Sequence, residues 1–161
     1  MLGQIIGMVL GFMASSLIEY MLHKEYLHRN DNMHHITLHH KNYYGDSRFS
    51  KPGSAWSDIA SSPAYIITNI LMYLPLSVLS YFVSRPFGSA FTITAIAYTL
   101  WVEIAHFWYH SPLNSSIEKK EVFKKIKEHH KIHHVHYNKN YGIGSSFWDY
   151  IFKTKKEKMT L

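Results

Sequence analysis

Three apolar runs constrain this chain more than any other feature. Residues 2–22 read LGQIIGMVLGFMASSLIEYML and carry one charge, Glu19. Residues 59–84 read IASSPAYIITNILMYLPLSVLSYFVS, and residues 87–109 read FGSAFTITAIAYTLWVEIAHFWY. Each is close to the ~20 residues needed to cross the hydrocarbon core of a bilayer. The pattern predicts an all-α integral membrane fold with three spans, at about 2–22, 63–83 and 88–109. A fourth, re-entrant segment is the alternative. A cleavable leader is the rival reading of the first run. It fits poorly, because the first basic residue is Lys24 and no small-x-small site follows. Pro63 suits a first helical turn, Pro75 should kink the second helix, and Arg85-Pro86 should end it. The turn into the third run is then a short hairpin.

Charge gives the orientation. Of 17 basic residues, five fall in 23–58, one (Arg85) in the hairpin and eleven in 110–161. Three spans place 23–58 and 110–161 on one side, and the positive-inside rule makes that side cytoplasmic. A single domain over 1–161 is expected, in a bacterial inner membrane or the endoplasmic reticulum. The net charge of +6 could suggest nucleic acid, but the lysines share the chain with apolar runs and aromatic residues, so no nucleic-acid partner is expected.

The chain has 13 histidines and no cysteine. Thiolate zinc sites and iron–sulfur clusters are therefore excluded, and any metal must take nitrogen or oxygen ligands. Imidazole suits iron, zinc, copper and nickel. The histidines fall into four boxes: His23 and His28; His35, His39 and His40; His106 and His110; and His130, His133 and His134. Spacings of i,i+3 and i,i+4 put two imidazoles on one helix face. The i,i+5 pairs, His23/His28 and His35/His40, do not share a face of a regular α-helix. They imply either π-helical distortion or ligation of two different metals. Ten imidazoles are too many for one ion and suit two ions of four or five ligands each.

Other residues are candidates to support those ligands. Glu103 lies one turn before His106, where a carboxylate could accept the imidazole N–H and fix its tautomer. Ser115-Ser116-Ile117-Glu118 reads as a capping box opening a helix that runs to about Val135. Its inward stripe ends in His130, His133 and His134, with His129 and His136 off that face. His34, His129, His136 and Asn140 complete the supporting set. Residues 41–54 read as loop, with Gly45, Pro52 and Gly53 as breakers.

With these boxes the chain resembles the fatty acid hydroxylase/sterol desaturase superfamily of histidine-box di-iron membrane enzymes, and fatty acid 2-hydroxylases most. The likeness runs from Glu19 to Thr154. It rests on Glu19-Tyr20-Met21-Leu22-His23 through His28, and on Glu103-Ile104-Ala105-His106 through His110. It continues through His130 to His134, Asn140-Tyr141-Gly142 and Trp148-Asp149-Tyr150-Ile151-Phe152-Lys153-Thr154, which resembles the family's W-D-x-[IV]-F-G-T. The second box departs from the pattern, with three residues before its histidine pair, so both His34 and His35 are open as its first ligand. Ser111 stands where many members have another histidine. The chain carries neither the extra spans nor the fused cytochrome b5 domain of some eukaryotic members.

The resemblance implies two irons, for which zinc can substitute in a purified sample. It implies a monooxygenase that hydroxylates a C–H bond of a lipid, a fatty acyl chain above all, with O2 and two external electrons. No flavin, haem or iron–sulfur motif is present, so a separate ferredoxin, cytochrome b5 or reductase is implied. Trp101, Phe107, Trp108, Phe147 and Trp148 are placed either to line an acyl path or to anchor the interface. A desaturase or a carotenoid or sterol hydroxylase on the same centre is the alternative. A non-redox zinc or nickel binding membrane protein is the alternative of another class.

Overall fold

The structure is a computed structural model that describes residues 1–28, 34–59 and 63–159. Helices α1 (Leu2–Met21), α4 (Pro63–Val83) and α5 (Arg85–His110) are the long elements. Between α1 and α4 lie two π-helical segments, Leu22–Leu27 and His34–His40, and two short helices, α2 (Asp46–Phe49) and α3 (Trp56–Ile59). Helix α6 (Glu121–Val135) and the short α7 (Phe147–Ile151) follow α5. Among the described residues there is no strand, and three helices are long and apolar enough to cross a membrane.

Helix α4 shows why these are membrane helices. Its buried face, Tyr65, Asn69, Tyr73, Ser77 and Ser80, is polar or aromatic, while Ile67, Leu71, Val78 and Phe82 are exposed. Water would reverse that arrangement. A lipid surround favours it, because apolar side chains lose nothing there and polar groups gain partners inside. Thr99 Oγ1, for example, donates to Asn69 Oδ1 at 3.3 Å.

Helix α5 is the central element and packs against both α1 and α4, which also touch each other. The α1 contact is a backbone contact. A Cβ on Gly7 would lie 2.6 Å from the Phe87 carbonyl oxygen, and one on Gly11 would lie 2.4 Å from that of Phe91. The spacing Gly7, Gly11, Ser15 is the small-xxx-small stripe that lets two helices approach closely.

Two helix starts differ from expectation, those of α5 and α6. Arg85 and Pro86 begin α5, which therefore starts three residues earlier than the expected 88. Ser84 caps it, its Oγ accepting from Phe87 N, and Pro86 occupies the first turn, where its missing N–H costs nothing. Helix α4 continues through Pro75. Helix α6 begins at Glu121, after the expected capping box. The Glu118 carboxylate does accept the Ser115 N–H at 2.8 Å, but it also takes the Leu113 N–H at 3.1 Å, closing a separate turn before the helix. The expected loop 41–54 contains the short helix α2, and on either side of it Gly45 and Gly53 adopt φ of +71° and +80°, where a side chain would be strained.

The segment after α6 is stitched to the ends of α1 and α5. Glu19 accepts the Ile143 N–H at 3.0 Å and the Tyr98 hydroxyl at 3.1 Å. Trp148 Nε1 donates to Ser16 Oγ, and Tyr109 donates its hydroxyl to the Ile143 carbonyl. Phe49, Tyr109, Phe123 and Ile143 pack together in the core beneath.

Candidate metal centre

Ten imidazoles converge at one end of the helices. They form two groups of five, His23, His28, His35, His40 and His133 in the first, and His39, His106, His110, His130 and His134 in the second. Within each group, one ring nitrogen per residue lies within 4.8 Å of all the others. Each of these ten stands where the boxes predicted a candidate.

The local structure explains the sorting. The π-helix brings residues five apart onto one face, so His23 and His28 face each other with Nε2 atoms 3.2 Å apart, and so do His35 and His40. Each i,i+5 pair therefore serves a single group. His39, one residue before His40, points to the other group and meets His106 at 3.1 Å. In α6, His130 and His134 stand one turn apart and share the second group at 3.1 Å, while His133 turns to the first and meets His28 at 3.0 Å. His35 meets His23 at 3.1 Å, and His110 meets His130 at 3.2 Å.

In three of the ten the far nitrogen fixes the protonation pattern. His23 Nδ1 faces the Tyr141 carbonyl, His110 Nδ1 the Phe49 carbonyl at 2.7 Å and His133 Nδ1 the Lys139 carbonyl at 2.6 Å. A carbonyl only accepts, so each Nδ1 carries the hydrogen and each Nε2 is a bare lone pair aimed into its group. The Nε2 of a neighbouring histidine stands 3.0–3.2 Å from each of them, close enough for one cation to draw on both nitrogens. Metal–imidazole bonds of about 2.0–2.1 Å set at right angles place neighbouring nitrogens about 3 Å apart. The donor set and its spacing thus fit two metal ions.

Burial reinforces this. It pushes the imidazoles of His28, His35, His40, His130, His133 and His134 below their ordinary pKa of 6.5, and the neighbouring histidines push them further. Neutral imidazole is the ligand form. The second group is wholly buried, whereas His28 and His35 are half-buried.

The expected supporting residues behave differently. Glu103 is buried, but among the described residues His106 Nδ1 has no hydrogen-bond partner, so the expected bond between them is absent. His129 lies outside both groups and contacts Asp149 Oδ2 at 3.0 Å. His136 is also outside them. Asn140 serves the backbone, donating to the carbonyls of His129 and Lys156 and accepting the Lys156 N–H at 2.6 Å. The His34 side chain lies outside the described residues. Of the expected aromatic residues, Trp101 packs against Trp108 and Phe147 against Trp148, while Phe107 meets Trp56.

Sequence reasoning left Asp149 and Glu19 out of the site, although both stand in quoted motifs. Asp149 is fully buried and accepts the N–H groups of Tyr141 and Gly142, each at 2.8 Å, and the Thr154 hydroxyl at 2.6 Å. It thereby folds the loop that offers Tyr141 O to His23. Burial alone would push its carboxyl up, but the hydrogen bonds from His129, Thr154 and Gly142 hold it below the usual carboxylate range. The carbonyls of Phe49, Lys139 and Tyr141 carry no signal in a sequence.

Fold and site together define a helical membrane protein with a histidine-lined candidate metal centre at one end of its spans. The profile of the fatty acid hydroxylase family matches residues 8–154, and the chain belongs to that family. It is similar to the fatty acid 2-hydroxylases of Rattus norvegicus and Homo sapiens, each 27% identical over 91% of this chain. It is also similar to the dihydroceramide fatty acyl 2-hydroxylase of Arabidopsis thaliana, 29% identical over 92% of this chain. The chain spans 38% of the length of the two animal proteins and 61% of the plant protein. No solved structure gives a significant match.

Proposed function

We propose that this chain is a lipid hydroxylase with a di-iron centre. His23, His28, His35, His40 and His133 would hold one iron, and His39, His106, His110, His130 and His134 the other. One observation carries the reading: one ring nitrogen from each of ten histidines converges in two groups of five, in a donor set that contains no thiolate. When bound, the irons supply activation of O2 for insertion into a C–H bond. Overall RH, O2, two electrons and two protons give ROH and water, the electrons coming from a separate ferredoxin, cytochrome b5 or reductase.

The residues of the chain divide the remaining work. The carbonyls of Tyr141, Phe49 and Lys139 hold His23, His110 and His133 in the tautomer that binds metal. Tyr43 and Phe49 pack against His110 with tilted rings, centroids at 4.5 and 4.6 Å, and would exclude water from the second group. The half-buried His28 and His35 leave the first group the more accessible. The centre lies where the candidate spans end, so an acyl chain could rise to it from the bilayer. The names of the relatives support a fatty acyl substrate. The basic residues gathered at 23–58 and 110–161 support a cytoplasmic centre.

The test is metal analysis of purified protein with turnover of lipid extracts under labelled O2. Two irons and label in a hydroxylated lipid are expected. A single tightly held zinc, with no O2 consumed under reducing conditions, overturns the reading. His133→Ala should lose metal while His136→Ala keeps it, and equal loss from both would show the ligand assignment to be wrong.

A further inference from the structure

The proposed reaction consumes two electrons that the chain does not carry, and the surface offers a place to receive them. Beside α6 lies a cavity of about 320 Å³. Its walls include Lys125, Lys155 and Lys156, with Glu128 and Glu157, and its floor includes the buried His129. Lys155 pairs with Glu157 at 3.2 Å, an exposed contact worth little. Lys153 and Lys158 are exposed on the same terminal segment. Lysines thus outnumber acids around a concave opening.

A line of hydrogen bonds runs inward from that floor. His129 Nε2 meets Asp149 Oδ2 at 3.0 Å, Asp149 Oδ1 accepts the Tyr141 N–H at 2.8 Å, and the Tyr141 carbonyl accepts from His23 Nδ1. His23 Nε2 then points into the first group of five. Three contacts join the basic cavity to a candidate iron ligand.

We propose that the basic cavity over His129 is the docking surface for a small one-electron carrier with an acidic face, and that His129, Asp149 and Tyr141 form its route to the centre. The proposal rests on the reading of the chain as an oxygenase fed by external electrons. Two successive dockings would deliver the two electrons, each oxidising one carrier. Charge complementarity of this kind sets association rate and salt dependence more than packing does.

The experiment uses the full chain in zwitterionic nanodiscs and reduced plant-type [2Fe–2S] ferredoxin as probe. The triple variant Lys125→Glu/Lys155→Glu/Lys156→Glu is compared with Lys119→Glu/Lys120→Glu/Lys124→Glu, which changes the same charge at residues outside the cavity lining, just before and in the first turn of α6. Ferredoxin binding should weaken about tenfold or more in the first triple only, and the wild-type affinity should fall with salt. Dithionite-driven turnover and metal content should match the wild type in both. Equal weakening in both triples, or none in either, overturns the docking site. So does retained ferredoxin binding with lost partition onto phosphatidylglycerol vesicles, which would assign the lysines to the membrane surface. If selective binding holds but no donor drives turnover of the wild type, the oxygenase reading fails and the binding surface stands.

Discussion

Asp149 Oδ1 accepts the backbone N–H of Tyr141 at 2.8 Å, and the carbonyl of that same Tyr141 accepts from His23 Nδ1. A carboxylate near the C-terminus thereby orients an imidazole in the first span without touching it. The two residues lie on opposite ends of the chain and meet through one residue, Tyr141.

Asp149→Asn should test this relationship. The amide group would turn an N–H toward Gly142 N–H or His129, replacing an acceptor with a donor. The loss should be about 1–3 kcal/mol of stability. Metal should leave the first group preferentially, so content should fall from about two equivalents toward one. Elemental analysis alongside thermal unfolding in detergent reads both effects. Full metal content in the variant would show that His23 needs no support from this loop.

Stability should fall on mild acidification. Burial, with help from neighbouring imidazoles, pushes His28 down to about 2 and holds His35, His40, His130, His133 and His134 well below 6.5. Above pH 6.5 these residues are neutral both folded and unfolded. Below it the unfolded chain binds protons that the folded chain refuses, so stability declines as pH falls. Bound metal would act in the same direction, because protons compete for its ligands. The depressed carboxyl of Asp149 adds a second loss of the same sign, beginning near its ordinary 3.8. Thermal unfolding against pH should show a plateau above about 7 and a steep fall between about 6.5 and 5. A flat profile down to pH 5 would contradict buried neutral imidazoles.

Gly11→Ala should separate α1 from α5. Its Cβ would lie 2.4 Å from the Phe91 carbonyl oxygen, a backbone atom that cannot rotate away. A cost of about 1–3 kcal/mol is expected. Gly3→Ala is the control, since a Cβ there meets nothing within 4 Å and should be neutral or slightly stabilising. Comparable melting of the two variants would mean that the close approach contributes nothing.

Lys153→Gly should stabilise the protein. Lys153 stands where the family pattern has glycine, and its φ is +57°. It is the left-handed residue of a Schellman cap on α7. Thr154 N–H donates to the Asp149 carbonyl at 2.9 Å, and Lys153 N–H to that of Tyr150 at 3.3 Å. Relief of the side-chain strain, less the added backbone entropy of glycine, should give about 0.5–1 kcal/mol. A lower unfolding midpoint in the variant would show that the lysine side chain contributes more than its strain costs.

Much of this architecture is legible in the sequence. Apolar runs of membrane length and histidines at i,i+3 and i,i+4 are local patterns, and local geometry turns each into one helix face. The i,i+5 spacing carried a real ambiguity. The same gap fits a π-helix serving one group or an α-helix serving two, and only the folded backbone distinguishes them. The capping box at Ser115 and Glu118 was legible but misleading, because Glu118 closes its own turn and leaves α6 to begin at Glu121.

The sequence by itself determined that ten histidines would gather at one end of a three-helix membrane protein. Lengths, charges and spacings act over a few residues and need no partner to be read. The tertiary structure decided which five belong together, and which groups hold them. His39 and His40 are adjacent yet face different groups, and the tautomers of His23, His110 and His133 are set by carbonyls of Tyr141, Phe49 and Lys139. A peptide carbonyl is the same at every position, so only the fold can give it a partner.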